Sequence, residues 1–464
     1  MSNENWRPWN DHSNHETECL KQTETRCPQC HIALAGEVWK VDSDPAKIVM
    51  RRTCPEHGLF ESTIASDAAY YWLSKGRSKN LGEQADDTCC SADGDCCGSL
   101  GSNANTTELG VFDTLSTCIA LIEIVDSCNL SCPTCFASSP LSNGAPSSVP
   151  LNEIKQRIGR VIEKKGKIEI LQLSGGEPTL HPQFFELLRW AQEHPKIDFI
   201  LVNTNGVKIA TDDAFFEHLE KAAKRRKLQL YLQFDGPQEA GQKELHNANL
   251  RELRSNVIER CAAINLPITL AMTVNDQNLP YIWDTIEFGL RHLIIRGVTF
   301  QPLFKSGRHG ENGASLNAAD VLQSAIEKSQ GQLCREDFTP LPCGDPNCDI
   351  IGYMLRQDGE VQSVSHFLDW KDLQGFLKDR VRYTIEDLIE CGCESEPLGQ
   401  VLKEFELKGN SAFRIMVKPF MDAWSWDQDR IDRCCTHVIQ PDGSLDSFCR
   451  HYAKFLNPSA TYGT

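Results

Sequence analysis

The chain has no run of eighteen apolar residues, so no helix long enough to cross a bilayer is expected. Its first stretch, Met1 to His15, is polar and lacks the apolar centre of a secretory signal. Basic charge is in deficit: 47 Lys and Arg against 64 Asp and Glu leave a net charge of −17. That balance excludes a general nucleic-acid binder and disfavours anionic membranes. No internal repeat is found, and no paired catalytic acid and base stands out. The expectation is a cytoplasmic protein with no nucleic-acid partner and at most peripheral membrane contact.

Cysteine is what the chain does have. With no export signal its 21 cysteines are expected to be reduced, and clusters of reduced cysteines read as metal ligands. They gather as Cys27/Cys30/Cys54, Cys89/Cys90/Cys96/Cys97, Cys128/Cys132/Cys135, Cys343/Cys348 and Cys434/Cys435/Cys449. Lone residues such as Cys118 and Cys261 sit in apolar or helical surroundings and read as small buried hydrophobes.

At 464 residues the chain has room for two or three domains. Residues 1–25 are polar and aperiodic and are expected to be a disordered tail. Residues 26–75 read as a small metal-nucleated module: the Cys27-Pro-Gln-Cys30 knuckle, strands at Val38–Val41 and Ile48–Arg52, then Cys54-Pro-Glu-His57. So short and polar a segment needs a staple, and a mononuclear zinc or iron would supply one. Its fourth ligand is left among His57, Cys19 and the 89–97 group. Residues 76–117 are an irregular, Cys-rich segment. Between 118 and 334, apolar runs at Ile119–Val125, Ile168–Leu173, Asp198–Val202, Leu228–Phe234, Ile268–Thr273 and Gly297–Gln301 alternate with helical patterns at Leu151–Glu163, Gln183–Glu193, Asp213–Arg226, Leu250–Ile264 and Tyr281–His292. Strands separated by crossover helices imply an α/β fold with a parallel sheet, curled or open. A helix over Leu316–Lys328 is expected to close it, and residues 335–464 form a C-terminal region.

The first strand runs directly into Cys128-Asn-Leu-Ser-Cys132-Pro-Thr-Cys135. Three thiolates can hold three corners of an iron–sulfur cubane and leave the fourth iron open for a ligand. A structural zinc site would instead want four protein ligands. The second strand ends in Ser174-Gly175-Gly176-Glu177-Pro178, and the later strands end in polar rims: Asn203-Thr204-Asn205-Gly206, Gln233-Phe234-Asp235-Gly236 and Gln301-Pro302. Cys343-x4-Cys348 with Cys434, Cys435 and Cys449 could hold an auxiliary cluster, the choice between Cys434 and Cys435 staying open. Cys90, Cys96 and Cys97 could ligate a further one. Cys391 and Cys393 are too close together to form an ordinary knuckle.

The three-cysteine loop followed by the Gly-Gly-Glu turn resembles the radical S-adenosylmethionine (radical SAM) superfamily. Taken with Cys27-Pro-Gln-Cys30, Leu232-Gln-Phe-Asp-Gly236, Phe300-Gln-Pro302 and Arg433-Cys-Cys-Thr-His437, it is similar to the group containing archaeal tetraether lipid synthase and proposed pterin-methylating enzymes. The resemblance implies a partial (β/α)6 barrel with a [4Fe-4S] cluster on Cys128, Cys132 and Cys135. It implies SAM bound on that cluster and contacted by Gly175, Gly176 and Glu177, with Asn203, Gln233, Asp235 and Gln301 at the cofactor and substrate rim. Auxiliary [4Fe-4S] clusters and a rubredoxin-like iron are implied as well. Two departures stand out. Thr134 takes the place of the usual aromatic residue, with Phe136 after the third cysteine, and the Cys89–Cys97 spacing differs from the family's middle motif.

The activity so implied is reductive cleavage of SAM to a 5′-deoxyadenosyl radical that functionalises an unactivated sp3 carbon. A carbon–carbon bond is the expected product, by lipid-chain coupling or methyl(ene) transfer. The substrate is then a small molecule or lipid, and the electron donor a protein such as flavodoxin or ferredoxin. Two rivals remain. A peptide- or protein-modifying maturase would want a small precursor-binding domain, which the sequence does not show. A non-catalytic iron–sulfur electron carrier would have no use for the glycine turn at 175–176.

Overall fold

The computed structural model describes residues 17–73, 117–308, 316–366 and 412–453, apart from 143, 145, 226, 342, 343, 358 and 359. Cys90, Cys96, Cys97 and Cys343, like Cys391 and Cys393, lie outside the described residues.

The N-terminal module is a four-stranded antiparallel sheet in the order β1 (Glu18–Arg26), β2 (Ala33–Val41), β3 (Lys47–Cys54), β4 (Gly58–Ala65). The expected hairpin is its centre. The expected tail is corrected: the structure begins a strand at Glu18, and Glu18 to Arg26 pair with β2 along nearly their whole length. The sequence Glu-Cys-Leu-Lys-Gln-Thr-Glu-Thr-Arg is polar because β1 is an edge strand, with one face to solvent and only Thr25 fully buried. The module's own core is small, Val38, Ile48, Met50, Ala65, Ala68 and Tyr71.

The module docks on residues 423–427. Thr25 Oγ1 donates to Trp426 O at 2.6 Å, Ser62 Oγ to Trp424 O at 2.5 Å, and Arg52 Nη2 to Ala423 O at 3.3 Å. Lys21 pairs with Asp427 at 2.5 Å, and the Arg26 guanidinium lies 4.9 Å from the Trp426 ring centre.

The second sheet has twelve strands. Its centre is the expected parallel series in sequence order: β5 (Ile119–Val125), β6 (Ile168–Gly175), β7 (Ile197–Thr204), β8 (Leu228–Gln233), β9 (Ile268–Val274) and β10 (Ile295–Pro302). Helices Leu151–Lys165, Phe184–Glu193, Asp213–Ala223, Arg251–Ala263 and Ile282–Arg291 connect them. Each helix turns apolar residues inward, as Leu151, Ile154, Ile158 and Val161 do at i, i+3, i+7 and i+10. Buried apolar residues fill most of the strand positions, and Gln172, Gln229, Thr269 and Thr299 are buried polar exceptions.

The C-terminal region extends this sheet at both ends. β11 (Thr339–Pro340), β12 (Ile350–Gln357) and β13 (Glu360–Ser363) come first in the chain, followed by β14 (Ala412–Val417), β15 (Thr436–Ile439) and β16 (Leu445–Ser447). β14 pairs parallel with β10, and β15 pairs parallel with β5. The order is β11-β12-β14-β10-β9-β8-β7-β6-β5-β15-β16, with β13 on β12. The parallel curl therefore has eight strands. It stays open, since among the described residues no ladder joins β14 to β15. The expectation that a helix over 316–328 closes the barrel is corrected: helix Ala318–Lys328 packs against β4, β10 and β14. Side chains cross the open seam instead. Lys418, just after β14, reaches Asp349 Oδ1 at 2.6 Å and Thr436 Oγ1 of β15 at 3.2 Å.

Candidate active site

All three cysteines of the 128–135 motif lie on the loop that leaves β5. Cys128 N donates to Pro140 O at 2.9 Å and Ser142 N donates back to Cys128 O at 2.7 Å, which folds the loop on itself. Arg308 clamps it. Its backbone N donates to Cys135 O at 3.0 Å, Nε to Cys132 O at 2.9 Å and Nη1 to Ser139 O at 2.7 Å. No motif spacing marks Arg308, so the sequence did not single it out.

Burial, with the charge of neighbouring thiols, pushes the Cys128 thiol up to about 11 and Cys132 up to about 12. Bare thiolates are unfavourable in such a place, and a cationic iron cluster supplies the charge that lets them ionise. The donor set therefore fits the cluster that the spacing implies. Leu130 N stands 3.4 Å and Asn205 Nδ2 3.7 Å from Cys128 Sγ, and His246 Nδ1 stands 3.2 Å from Cys132 Sγ.

The glycine turn is built against this loop. Gly176 N donates to Val125 O at 2.7 Å, and Glu177 N donates to Ser127 O at 3.1 Å. A Cβ on Gly175 would stand 2.0 Å from Val125 O, and one on Gly176 would stand 2.1 Å from Ser127 O. Gly175 also has φ +119°. Only glycine lets the two backbones approach this closely. The Glu177 carboxylate is fully committed inside the protein. Oε1 accepts from Thr179 N (3.2 Å), Thr179 Oγ1 (2.6 Å) and Thr204 Oγ1 (2.8 Å), and Oε2 accepts from Asn205 N (2.8 Å). Burial holds it above the ordinary carboxylate range in spite of these donors. Glu177 thus locks the β6 turn to the β7 rim, which leaves backbone groups of the turn to face a ligand.

A cavity of about 320 Å³ runs inside the curl, from the cysteine loop at the ends of the strands down to Cys118 and Ile119 at the start of β5, and it falls within the usual size range for small-molecule sites. Cys128, Cys132 and Cys135 border it, as do Gly175, Gly176, Glu177, Asn203, Gln233 and Gln301. Asp235 stands beneath the rim, fully buried. Thr134 and Phe136 also line the cavity, and Phe136 is held by Tyr452 (ring centres 4.7 Å apart) and Phe448 (5.6 Å). Amides and hydroxyls interlock across the floor. Gln172 Nε2 donates to Asn203 Oδ1 at 2.5 Å, Gln229 Nε2 to Thr269 Oγ1 at 2.5 Å, Gln233 Nε2 to Thr273 Oγ1 at 3.1 Å and Gln301 Nε2 to Tyr231 Oη at 2.9 Å. Leu121, Phe199, Leu201, Val298 and Phe420 supply apolar walls.

The late cysteines divide into two groups. Burial raises Cys434, and so do the charges of Cys348 and Cys449, which places these three thiols in one electrostatic neighbourhood. Cys348 is pushed up to about 12 by burial, against the pull of Arg430, whose Nη2 lies 3.7 Å from its sulfur. Met421 N donates to Cys449 Sγ at 3.3 Å. Three thiols, Cys449 buried and Cys348 and Cys434 partly so, beside a guanidinium suit a second cluster. Cys435 instead borders the large cavity, as Cys118 does.

In the N-terminal module Cys27, Cys30, Cys54 and His57 bring their ligand atoms within 4.8 Å of one another. Cys27 to His57 at 3.8 Å, Cys30 to Cys54 at 3.7 Å and Cys54 to His57 at 3.4 Å are separations that suit ligands around one tetrahedral ion. Of the candidates among the described residues, His57 stands with the three thiols; the 89–97 group lies outside them.

Residues 122–289 match the radical SAM superfamily, and residues 19–66 match the HMPTM N-terminal zinc ribbon domain. The chain is 26% identical to the 7,8-dihydro-6-hydroxymethylpterin dimethyltransferase of Methanocaldococcus jannaschii, over 93% of each. It is 34% identical to the GTP 3′,8-cyclase of Pectobacterium atrosepticum over 20% of this chain and 28% of that one. Among solved structures, Streptococcus suis SuiB bound to precursor peptide SuiA aligns at 15% identity, over 47% of this chain and 46% of that one, with a TM-score of 0.39. A radical SAM domain binds a [4Fe-4S] cluster and SAM, and its presence here on the loop, turn and sheet just described makes this chain a radical SAM enzyme.

Proposed function

We propose that the enzyme transfers a one-carbon unit, drawn from a further molecule of SAM, to a ring carbon of a reduced pterin or a closely similar heterocycle. The observation that carries this is the cavity lining. Amides and hydroxyls line one part of it, Leu121, Phe199, Leu201, Val298 and Phe420 supply apolar wall, and its charged groups include the Lys418–Asp349 pair. A flat heterocycle has the matching surface, with two apolar faces and a polar edge. A lipid chain could use none of the remaining hydrogen-bonding capacity of Gln172, Gln229, Gln233 and Gln301, whereas the polar edge of a heterocycle can. The dimethyltransferase relative, aligned along nearly the whole chain, supports the same reading.

When bound, the cluster and SAM supply a carbon-centred radical able to take hydrogen from an unactivated carbon. Cys128, Cys132 and Cys135 would hold the cluster, and backbone groups at Gly175 and Gly176 would meet SAM. Phe136 and Thr134 shield the cavity beside the third cysteine. Gln233 and Gln301 would orient the heterocycle edge, and Asn203 would reach the ligand from the β7 rim. Cys348, Cys434 and Cys449 would hold an auxiliary cluster, and Cys27, Cys30, Cys54 and His57 a structural ion. Reducing equivalents would come from a small electron-transfer protein. The chain carries no described helix long and apolar enough to cross a membrane.

The test is anaerobic. Reconstituted protein, reductant, SAM and 7,8-dihydro-6-hydroxymethylpterin are combined, and 5′-deoxyadenosine and the pterin mass are followed. Nucleoside release with a pterin heavier by one or two methyl groups supports the proposal. Nucleoside release with the pterin mass unchanged overturns it.

A further inference from the structure

His246 is absorbed by none of the motifs above. It ends a short helix, Gln242–His246, over the cysteine loop, where Thr134 Oγ1 donates to the adjacent Leu245 O at 3.2 Å. Its ring is gripped from behind. Nε2 lies 2.6 Å from Asp235 Oδ2 and 3.1 Å from Arg254 Nη2, and Arg254 Nη1 lies 3.2 Å from the same Asp235 oxygen. Asp235 and Arg254 are fully buried. The other Asp235 oxygen accepts from Thr273 N at 2.8 Å and Gln233 Nε2 at 2.7 Å, so the carboxylate cannot swing. Burial would raise the Asp235 carboxyl, but His246 and Arg254 hold it below its ordinary value. The free edge of the imidazole, Nδ1, faces Cys132 Sγ at 3.2 Å.

We infer that His246 is a positioning residue for the cluster: with a proton on each ring nitrogen it bridges two anions, Nε2 donating to the Asp235 carboxylate and Nδ1 donating an N–H···S hydrogen bond to the Cys132 thiolate, and so favours the reduced cluster. A carboxylate on the far nitrogen of a histidine fixes the ring's orientation and favours the form that is protonated on both nitrogens. Hydrogen bonds to cluster sulfurs are one of the levers that set reduction potential, because they stabilise the extra negative charge of the reduced state. Leu130 N takes this role at Cys128, and His246 takes it at Cys132.

The experiment uses the full-length, anaerobically reconstituted protein with its iron content measured. The radical cluster is distinguished from any auxiliary cluster as the electron paramagnetic resonance signal that changes when SAM is added. Redox titration of that signal compares the parent with His246→Leu, which has no donor, and with His246→Asn, whose amide nitrogen can occupy the Nδ1 position. The Leu variant is expected to favour oxidation about tenfold, a fall of about 59 mV for one electron, and the Asn variant is expected to recover most of the loss. Asp235→Asn suits the left-handed backbone at that position (φ +59°). It leaves His246 in place and is expected to move the potential the same way by a smaller factor. Should His246→Leu fail to hold iron, Asp235→Asn decides. An unchanged potential in a fully loaded His246→Leu variant, or in Asp235→Asn when that variant decides, overturns the inference.

Discussion

Replacing Gly176 by alanine tests whether the glycine turn exists to seat the cysteine loop. The added methyl would start 2.1 Å from Ser127 O, 2.4 Å from Ser127 C and 3.0 Å from Cys128 N. A carbon–oxygen contact tolerates about 3.3 Å, so the Ser127 carbonyl must retreat by more than an ångström. That movement breaks the 3.1 Å bond from Glu177 N to Ser127 O and carries Cys128, the next residue, with it. The obstacle is backbone, not the tip of a flexible side chain, so relaxation is costly. Overpacking of this kind costs about 1–3 kcal/mol, and a ligand displaced by an ångström no longer meets a rigid cluster. The expected result is a lower denaturation midpoint together with a loss of iron at the radical cluster. Gly159→Ala is the control, since Gly159 sits in helix Leu151–Lys165 with nothing within 4 Å of the new methyl. That exchange should stabilise the protein by about 1 kcal/mol through helix propensity alone. Iron analysis and urea denaturation of both variants give the answer. A Gly176→Ala protein with full iron and an unmoved midpoint refutes the packing argument.

Two further outcomes follow from the buried charges. Burial works against the Lys418 ammonium, yet Asp349 and Cys435 hold its proton affinity above the ordinary range. Lys418→Met leaves Asp349 buried without its cation, so a loss of about 3–5 kcal/mol is expected in chemical denaturation, whereas the double variant Lys418→Met, Asp349→Leu should recover much of it. Asp345 is held below the ordinary carboxylate value, Arg430 and Arg433 outweighing the effect of burial. A depressed folded value contributes stability above the unfolded value of about 3.9 and loses it as pH falls toward the folded one. The stability gap between the parent and Asp345→Asn should therefore be constant above about pH 5 and narrow below about pH 4; a gap that is flat across that range contradicts the assignment.

The parallel series was legible because its signals are local: six apolar runs, five helical periods and a cysteine loop placed where a strand ends. The helix bounds fall within a few residues of the expected ones, as at Gln183–Glu193 against Phe184–Glu193. What escaped notice depends on contacts far apart in sequence. β15 is only Thr-His-Val-Ile, too short for periodicity to register, and its meaning lies in pairing with β5. β1 looked disordered because half of an edge strand faces water. Single residues without a motif, such as Arg308 and His246, act through backbone carbonyls and a sulfur that only the fold brings near. The zinc ribbon showed three of its ligands as cysteines, and geometry chose His57 as the companion.

The two outer parallel strands of the curl also set the timing of its completion. Ile119 finds its partner at Thr436, and Gly297 finds its partner at Arg414. At roughly 5–20 residues per second, a ribosome takes about 15–60 s to travel from the first of these residues to the last. The β5 edge, which leads straight into the cysteine loop, lacks its β15 neighbour for that whole interval, and the β10 edge lacks its β14 neighbour from its own synthesis until residue 412 is made. The seam beside that loop therefore forms last, and any truncation ahead of residue 412 removes the parallel neighbours of both β5 and β10 on their outer sides.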